Sequence, residues 1–331
     1  MNNTFKAYQV KENSDGSFSS EVKQVSFSVL PDNEVLIKVH YSSLNYKDGL
    51  SASGNKGVTK SYPFIPGIDA AGEVVEDKTG SFKEGDKVIV TGYDLGMNTS
   101  GGFGEYIKVP ADWIVSLPEN LSLLQSMIIG TAGYTAAYGV TRLRRELIKP
   151  ESGSAVVTGA TGGVGSMAVY LLAKLGYSVI AATGKMDQKP LLELLGAEEV
   201  IDRDDLYPEK KALLNSGIYS AAIDTVGGKM LEALIPQMEQ DGAIACCGNI
   251  LGHELNTNIY PFILRGVSLL GIDSGITKMP FRLKIWEMLN ETAGDFPEEA
   301  YNVVSLDELD DEIEKILAGK QVGRTVLQHK V

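Results

Sequence analysis

The sequence predicts an α/β protein in which a β-rich domain is interrupted by a doubly wound parallel sheet. Three observations lead there. Short β-type runs broken by turns fill the first third of the chain, and from about residue 125 strand and helix patterns alternate. One last strand pattern, at the C-terminus, has no place in the finished parallel sheet. A chain of 331 residues is also too long for one simple core, so two domains are expected.

In the first third, Val35-Leu36-Ile37-Lys38-Val39-His40-Tyr41 and Lys87-Val88-Ile89-Val90-Thr91 read as strands. Pro31-Asp32-Asn33 and Lys83-Glu84-Gly85-Asp86 read as the turns between such runs. Beyond residue 125, strands are expected at 154–158, 178–182, 199–201, 219–224, 242–246 and 267–271, with helices at 165–175 and 188–195 between the first of them. A helix at 281–289 and an acidic amphipathic one around 307–314 lead to a last strand at 323–327. That strand is expected to rejoin the first domain. The boundaries are then 1–124 with 273–331 for one domain and 125–272 for the other.

Composition narrows the function. Apolar residues make up 44% and charged residues 22%, as in a globular protein. No apolar run reaches the roughly 18 residues of a membrane helix, and no basic-then-apolar start suggests a secretory signal, so a cytoplasmic location is expected. The net charge of −13 argues against nucleic acid and anionic membranes as partners. The two cysteines, Cys246 and Cys247, are strand neighbours that point to opposite faces, which suits core packing better than a shared metal or disulfide. The three histidines, His40, His253 and His329, are isolated, and no cysteine precedes residue 246, so no metal site is expected. Any chemistry the chain performs is then expected to proceed without a metal Lewis acid.

The strongest motif is Thr158-Gly159-Ala160-Thr161-Gly162-Gly163-Val164-Gly165, directly after an apolar strand and opening a helix. Gly159 permits the tight turn, Gly162 and Gly163 let the backbone approach a pyrophosphate, and Gly165 lets helix and strand pack closely. The helix start itself favours phosphate. At the end of the next strand an NAD site usually places an acid; here stands Ala182-Thr183-Gly184-Lys185, with Asp187 a little beyond. Lys185 and, after the third strand, Arg203 are candidate partners for a 2′-phosphate. NADP(H) is the expected cofactor.

These segments resemble a known family. Ser43-Leu44-Asn45-Tyr46-Lys47-Asp48, Pro66-Gly67-Ile68-Asp69-Ala70-Ala71-Gly72, Gly130-Thr131-Ala132-Gly133-Tyr134-Thr135-Ala136, the glycine turn, Ala222-Ile223-Asp224-Thr225-Val226-Gly227 and Pro261-Phe262-Ile263-Leu264-Arg265 are similar to the zinc-free medium-chain dehydrogenase/reductase superfamily. The likeness is greatest to its YhdH/YhfP branch of acryloyl-CoA reductases and quinone oxidoreductases. It implies a GroES-like catalytic domain, a Rossmann domain and a homodimer, in which the strand near 267–271 often pairs across the two subunits. Family positions that contact NADPH carry over to Tyr46, Thr161, Gly162, Gly163, Val164, Thr183, Gly184, Lys185, Arg203, Asn249, Ile263 and Ser274. Lys185 replaces a common arginine and cannot bind in the bidentate mode. Asn249 replaces a common apolar residue, and Asp69 stands where zinc-dependent relatives carry a metal-binding motif.

The resulting expectation is hydride transfer to the β-carbon of an α,β-unsaturated acyl-CoA or enone, with Tyr46 and Asn45 as candidate catalytic groups at the carbonyl and Asp48 as a brace. NADPH:quinone oxidoreduction is the alternative, and a non-catalytic NADPH-binding redox sensor a second. The small-molecule partner would be an enoyl thioester, an enone or a quinone. Arg142, Arg144, Arg145 and Lys149 form the densest basic stretch, readable as a solvated helix face or a coenzyme A patch. Tyr41, Tyr62, Phe64, Tyr93 and Phe103 could serve an aromatic cleft or the core.

Overall fold

A computed structural model describes residues 3–208 and 212–330. The chain opens with an antiparallel pair, β1 (Thr4–Glu12) and β2 (Phe18–Ser26). β3 (Val35–Ser43), α1 (Tyr46–Ala52), β4 (Asp69–Asp77), β5 (Lys87–Thr91), β6 (Tyr106–Val109) and β7 (Ile114–Ser116) follow. The helical segment α2 (Leu123–Arg145) is broken at Gly130, whose φ of 49° and ψ of −159° are non-helical.

Strand and helix then alternate. The order is β8 (Ala155–Thr158), α3 (Gly163–Lys174), β9 (Val179–Thr183), α4 (Lys189–Leu194), β10 (Glu199–Asp202), β11 (Tyr219–Asp224), α5 (Gly228–Leu234), β12 (Met238–Cys246), α6 (Tyr260–Arg265) and β13 (Ser268–Gly271). Last come α7 (Met279–Thr292), β14 (Tyr301–Val304), α8 (Leu309–Leu317) and β15 (Arg324–Gln328).

The chain divides into two compact units: 1–131 with 275–294 and 301–331, and 132–274 with 295–300. The first division falls inside α2, just past Gly130, rather than at residue 124. Ser274 stays with the second unit, as does the short stretch 295–300.

In the first unit, a sheet runs β14-β15-β3-β4-β5-β7, with β6 paired to β3. Its pairings are antiparallel except β14 with β15. The C-terminal strand β15 pairs with β3 through Val326 and Ser43, so the end of the chain closes on the strand that leads into α1. Alternate residues of β3, Val35, Ile37 and Val39, point into a core with Val74, Val88 and Val90. Asp310, Asp311 and Glu314 of α8 are exposed, while Leu309, Glu312, Ile313 and Ile316 are buried. α8 lies close against α1 because residue 49 is glycine: a Cβ there would stand 3.1 Å from Leu317 and 3.3 Å from Ile316.

In the second unit a six-stranded, wholly parallel sheet has the order β10-β9-β8-β11-β12-β13. β8 is buried at every position, as a central parallel strand requires. Chain order reverses between β8 and β11, the switch point beyond which such sheets bind ligands. The strand expected at 242–246 begins earlier, at Met238, and passes through a left-handed Asp241 (φ 58°).

Candidate active site

The glycine turn joins β8 to α3 at this switch point. Gly159 has φ +61°, and a Cβ there would press on Thr225 and stand 2.9 Å from Val226. A Cβ on Gly165 would run into the Gly159 carbonyl and lie 2.8 Å from the Ala160 Cα. Both glycines are fixed by the protein's own packing. Gly162 is different, since its nearest neighbour would be the Gly159 carbonyl at 3.4 Å. It is free of such crowding and leaves the backbone open. Gly162 caps α3 without a side-chain hydrogen bond, so the N–H groups of the first turn, at Gly163 and Val164, have neither a capping nor an intrahelical acceptor. A bare helix start of this kind fits a dinucleotide pyrophosphate.

At the end of β9 the Thr183 and Thr161 hydroxyls are 3.2 Å apart, and Thr183 Oγ1 accepts the Lys185 N–H at 3.1 Å. The guanidinium of Arg203 lies against Gly184, where a Cβ would come within 2.9 Å of Nε. The structure thus brings Thr183, Gly184, Lys185 and Arg203 into one cluster, although Arg203 belongs to a separate turn after β10. Partial burial lowers the Lys185 pKa from its usual value. Asp187 is exposed and accepts from Gln188 Nε2 at 2.7 Å. The donor set suits a 2′-phosphate.

The role of Asp224 was not singled out from the sequence, though its segment was. It is wholly buried at the end of β11 and accepts from Thr158 Oγ1 at 2.7 Å and Gly227 N at 2.9 Å. Thr158 in turn accepts the Thr225 N–H at 3.1 Å, and Thr225 Oγ1 returns a bond to the Thr158 carbonyl at 2.8 Å. This lattice holds the ends of β8 and β11 in register below the glycine turn. Burial pushes the Asp224 carboxyl up. A buried acid followed by small turn residues at a strand end was the available signal.

Elsewhere in the second unit, Ser274 accepts from Thr135 Oγ1 at 2.7 Å. Asn249 lies in the loop after β12, where its carbonyl accepts from Gly252 N. Ile263, on α6, is 63% exposed. Of the basic stretch, Arg142 donates to the Gly271 carbonyl at 3.3 Å, Arg144 and Arg145 are exposed, and Lys149 pairs with Glu151 at 3.8 Å.

In the first unit Tyr46 opens α1 and is exposed, while Asn45 before it is buried. Asn45 Nδ2 donates to Asp69 Oδ2 at 2.8 Å and to the Ser43 carbonyl at 3.2 Å, which commits both amide hydrogens internally. Asp48 accepts from the backbone of Asn45, Gly67 and Ile68 at 2.8, 3.1 and 2.8 Å. Burial, with the Asp69 charge beside it, pushes Asp48 up to about 7. Asp69 accepts from Ser43, Asn45 and both the backbone and hydroxyl of Thr131. Three of these bonds fall on Oδ2 and one on Oδ1. Among the described residues no group of three or more His, Cys, Asp or Glu is placed to hold a metal ion. Of the aromatics, Phe103 and Phe64 are buried, Tyr62 bonds the Ser51 carbonyl, Tyr41 receives a bond from Gln328, and Tyr93 stacks on Trp113.

Comparison with known proteins agrees with this geometry. Residues 31–119 match the alcohol dehydrogenase GroES-like domain family, and residues 163–290 match the family described as zinc-binding dehydrogenase. YhfP of Bacillus subtilis, which bears a quinone oxidoreductase name, is 44% identical over 99% of this chain and 100% of its own. Its crystal structure with NAD bound matches with a TM-score of 0.94, covering 98% of this chain and 99% of that one. The acrylyl-CoA reductase AcuI of Ruegeria pomeroyi is 40% identical over 96% of each chain. The yhdH oxidoreductase of Salmonella enterica in complex with NADP is 39% identical, with a TM-score of 0.93 over 98% of this chain and 100% of that one. With its GroES-like and Rossmann units and its phosphate-ready turn, the chain belongs to the zinc-free medium-chain dehydrogenase/reductase superfamily, in the YhdH/YhfP branch, and is an NADP(H)-dependent oxidoreductase.

Proposed function

We propose that the protein reduces the activated C=C of an α,β-unsaturated acyl-CoA of the acryloyl-CoA type, or of a small enone, at the expense of NADPH. The observation that carries this is the likeness, along almost the whole of both chains, to a protein named as an acrylyl-CoA reductase. The cluster of Thr183, Gly184, Lys185 and Arg203, with no acid at the end of β9, supports NADPH as the reductant. When bound, the cofactor supplies a hydride to the substrate β-carbon, and a proton then completes the saturated product.

The chain's own residues divide that work. Thr161, Gly162, Gly163 and Val164 receive the pyrophosphate on the open start of α3. Thr183, Gly184, Lys185 and Arg203 receive the 2′-phosphate. Asn249, Ile263 and Ser274 are assigned by family position to the nicotinamide half. Tyr46, exposed at the start of α1, is assigned by family position to contact the cofactor and to offer its hydroxyl at the reacting end. Asn45 has no amide hydrogen left to give, so its part is to hold Tyr46 in place rather than to bind the substrate carbonyl.

A quinone as acceptor is the second reading, favoured by the 44% identity to YhfP. A cytoplasmic homodimer completes the proposal. It is supported by the edge position of β13 in its sheet and by exposed Ile263 and Leu264 on α6. Light scattering in solution tests the dimer.

Purified protein with NADPH should turn over acryloyl-CoA faster than a benzoquinone or a small enone. Faster turnover of the quinone would favour the second reading. If none of the three oxidised NADPH while the cofactor still bound, the reductase reading would fail.

A further inference from the structure

Arg324, the first residue of β15, is a buried cation far in sequence from every motif of the site. It is 1% exposed. Nε donates to the Ile128 carbonyl at 2.9 Å and Nη1 to the Leu44 carbonyl at 3.4 Å. Nη2 is buried with no hydrogen-bond partner. Burial disfavours the guanidinium's charge, and two fully buried carboxylates, Asp69 and Asp48, work against that by favouring it.

The neighbouring break in α2 explains where these bonds come from. A continuous helix would pair the Ile128 carbonyl with the N–H of residue 132, and the Thr131 N–H with the carbonyl of residue 127. The non-helical Gly130 interrupts that ladder. Arg324 takes the Ile128 carbonyl and Asp69 takes the Thr131 N–H, at 2.8 Å. A Cβ on Gly130 would collide with Ser43 Oγ and stand 2.7 Å from Asp69 Oδ2 and 3.0 Å from Arg324 Nη2. Break, cation and carboxylate form one built unit, which also holds the Asn45 amide.

We infer that Arg324 is a positioning residue for the Asn45–Tyr46 turn: it is the buried counter-charge to Asp48 and Asp69, and it anchors the Leu44 carbonyl just ahead of that turn. The chain of contacts is short. Arg324 holds Leu44 and balances Asp69; Asp69 holds Asn45; Asn45 precedes Tyr46. A lysine would keep the charge but could not serve the Ile128 and Leu44 carbonyls from a rigid fork. The role rests on the proposed use of Tyr46 at the reacting end, so its test needs a readout that does not depend on turnover.

That readout is 19F NMR of protein carrying 3-fluorotyrosine, with the Tyr46 signal identified by its loss in Tyr46→Phe. Arg324→Lys and Arg324→Met are compared with wild type for this signal, for NADPH affinity and for turnover of acryloyl-CoA. The inference expects folded Arg324→Lys to shift or broaden the Tyr46 signal, with any loss of NADPH affinity following the displacement of Tyr46. It also expects kcat to fall by at least about tenfold, the scale of cost for a reacting group out of place. If Arg324→Met fails to fold, Arg324→Lys alone decides. An unchanged Tyr46 signal in folded Arg324→Lys overturns the inference, whatever the turnover. Absence of turnover in wild type would count against the proposed reaction and leave the NMR comparison intact.

Discussion

The guanidinium of Arg203 lies flat enough against Gly184 that a single added methyl would come within 2.9 Å of its Nε and 3.0 Å of its Cζ. The glycine at the end of β9 is therefore the floor of a cation site, and the absent side chain is part of it. Arg203→Ala should weaken NADPH binding by about ten- to a hundredfold, the worth of one charge-assisted hydrogen bond. Gly184→Ala should act in the same direction by displacing the arginine. Because Arg203 is half exposed and can swing away, neither change should lower Tm much. NADH, which lacks the 2′-phosphate, should bind these variants as it binds wild type. Titration calorimetry with both cofactors checks this; equal losses for NADH and NADPH would remove Arg203 from the phosphate site.

The glycines of the turn should separate by mechanism. Gly165→Ala forces a methyl into the Gly159 carbonyl and Ala160, backbone that cannot move aside, so a loss of about 1–3 kcal/mol or more is expected. Gly162→Ala meets only ordinary contact at 3.4 Å and should keep the wild-type Tm. Any effect of Gly162→Ala should appear in cofactor affinity instead. Thermal melts without and with NADPH distinguish the two, and a Gly165→Ala protein as stable as wild type would refute the close packing described.

Thr158 and Asp224 should behave as one unit. Thr158→Val keeps the shape but removes the donor to Asp224 and the acceptor for the Thr225 N–H. Leaving buried polar groups short of partners costs about 1–3 kcal/mol each. A Tm lower by several degrees follows for a protein of this size. Thr158→Ser, which restores the hydroxyl, should recover most of the loss. If valine and serine melted alike, the hydrogen bonds would not be the cause.

How far the sequence could be read depends on how local the cause was. The parallel sheet was legible because strand and helix periods are written in consecutive residues, and the glycine turn because its steric demands lie within eight positions. Return of the C-terminus to the first sheet followed from a strand with no vacancy elsewhere, and β15 does pair with β3. The break at Gly130 was not legible. No helix is expected from the sequence over 123–145, and what crowds Gly130 is Asp69, Ser43 and Arg324, brought in from three distant strands or strand ends. For the same reason Asn45 looked available to a substrate: nothing near it in sequence says that Asp69 takes its amide.

His329 should make the protein acid-sensitive in a defined window. Its Nε2 is 2.8 Å from the Gly102 carbonyl, the arrangement of a neutral ring donating from Nε2, while Nδ1 is buried with no hydrogen-bond partner. Charging the ring would place an unpaired N–H in the interior, and burial, with smaller contributions from His40 and Lys6, holds the pKa down to about 4. The folded value lies below the unfolded one near 6.5. The stability tied to the neutral ring is therefore present above about pH 6.5 and is lost as pH falls towards 4. Asp48 acts with the opposite sign: raised to about 7, it contributes most below pH 4 and loses that contribution as pH rises through 7. The wild-type curve alone mixes the two groups. The difference between wild type and His329→Gln isolates the histidine, because Asp48 is common to both. Glutamine can still donate to Gly102 but does not titrate, so wild type should lose a few kcal/mol relative to the variant between pH 6.5 and 4. Urea unfolding midpoints across that range measure it; a gap that stays constant with pH would show that His329 is not held neutral by its burial.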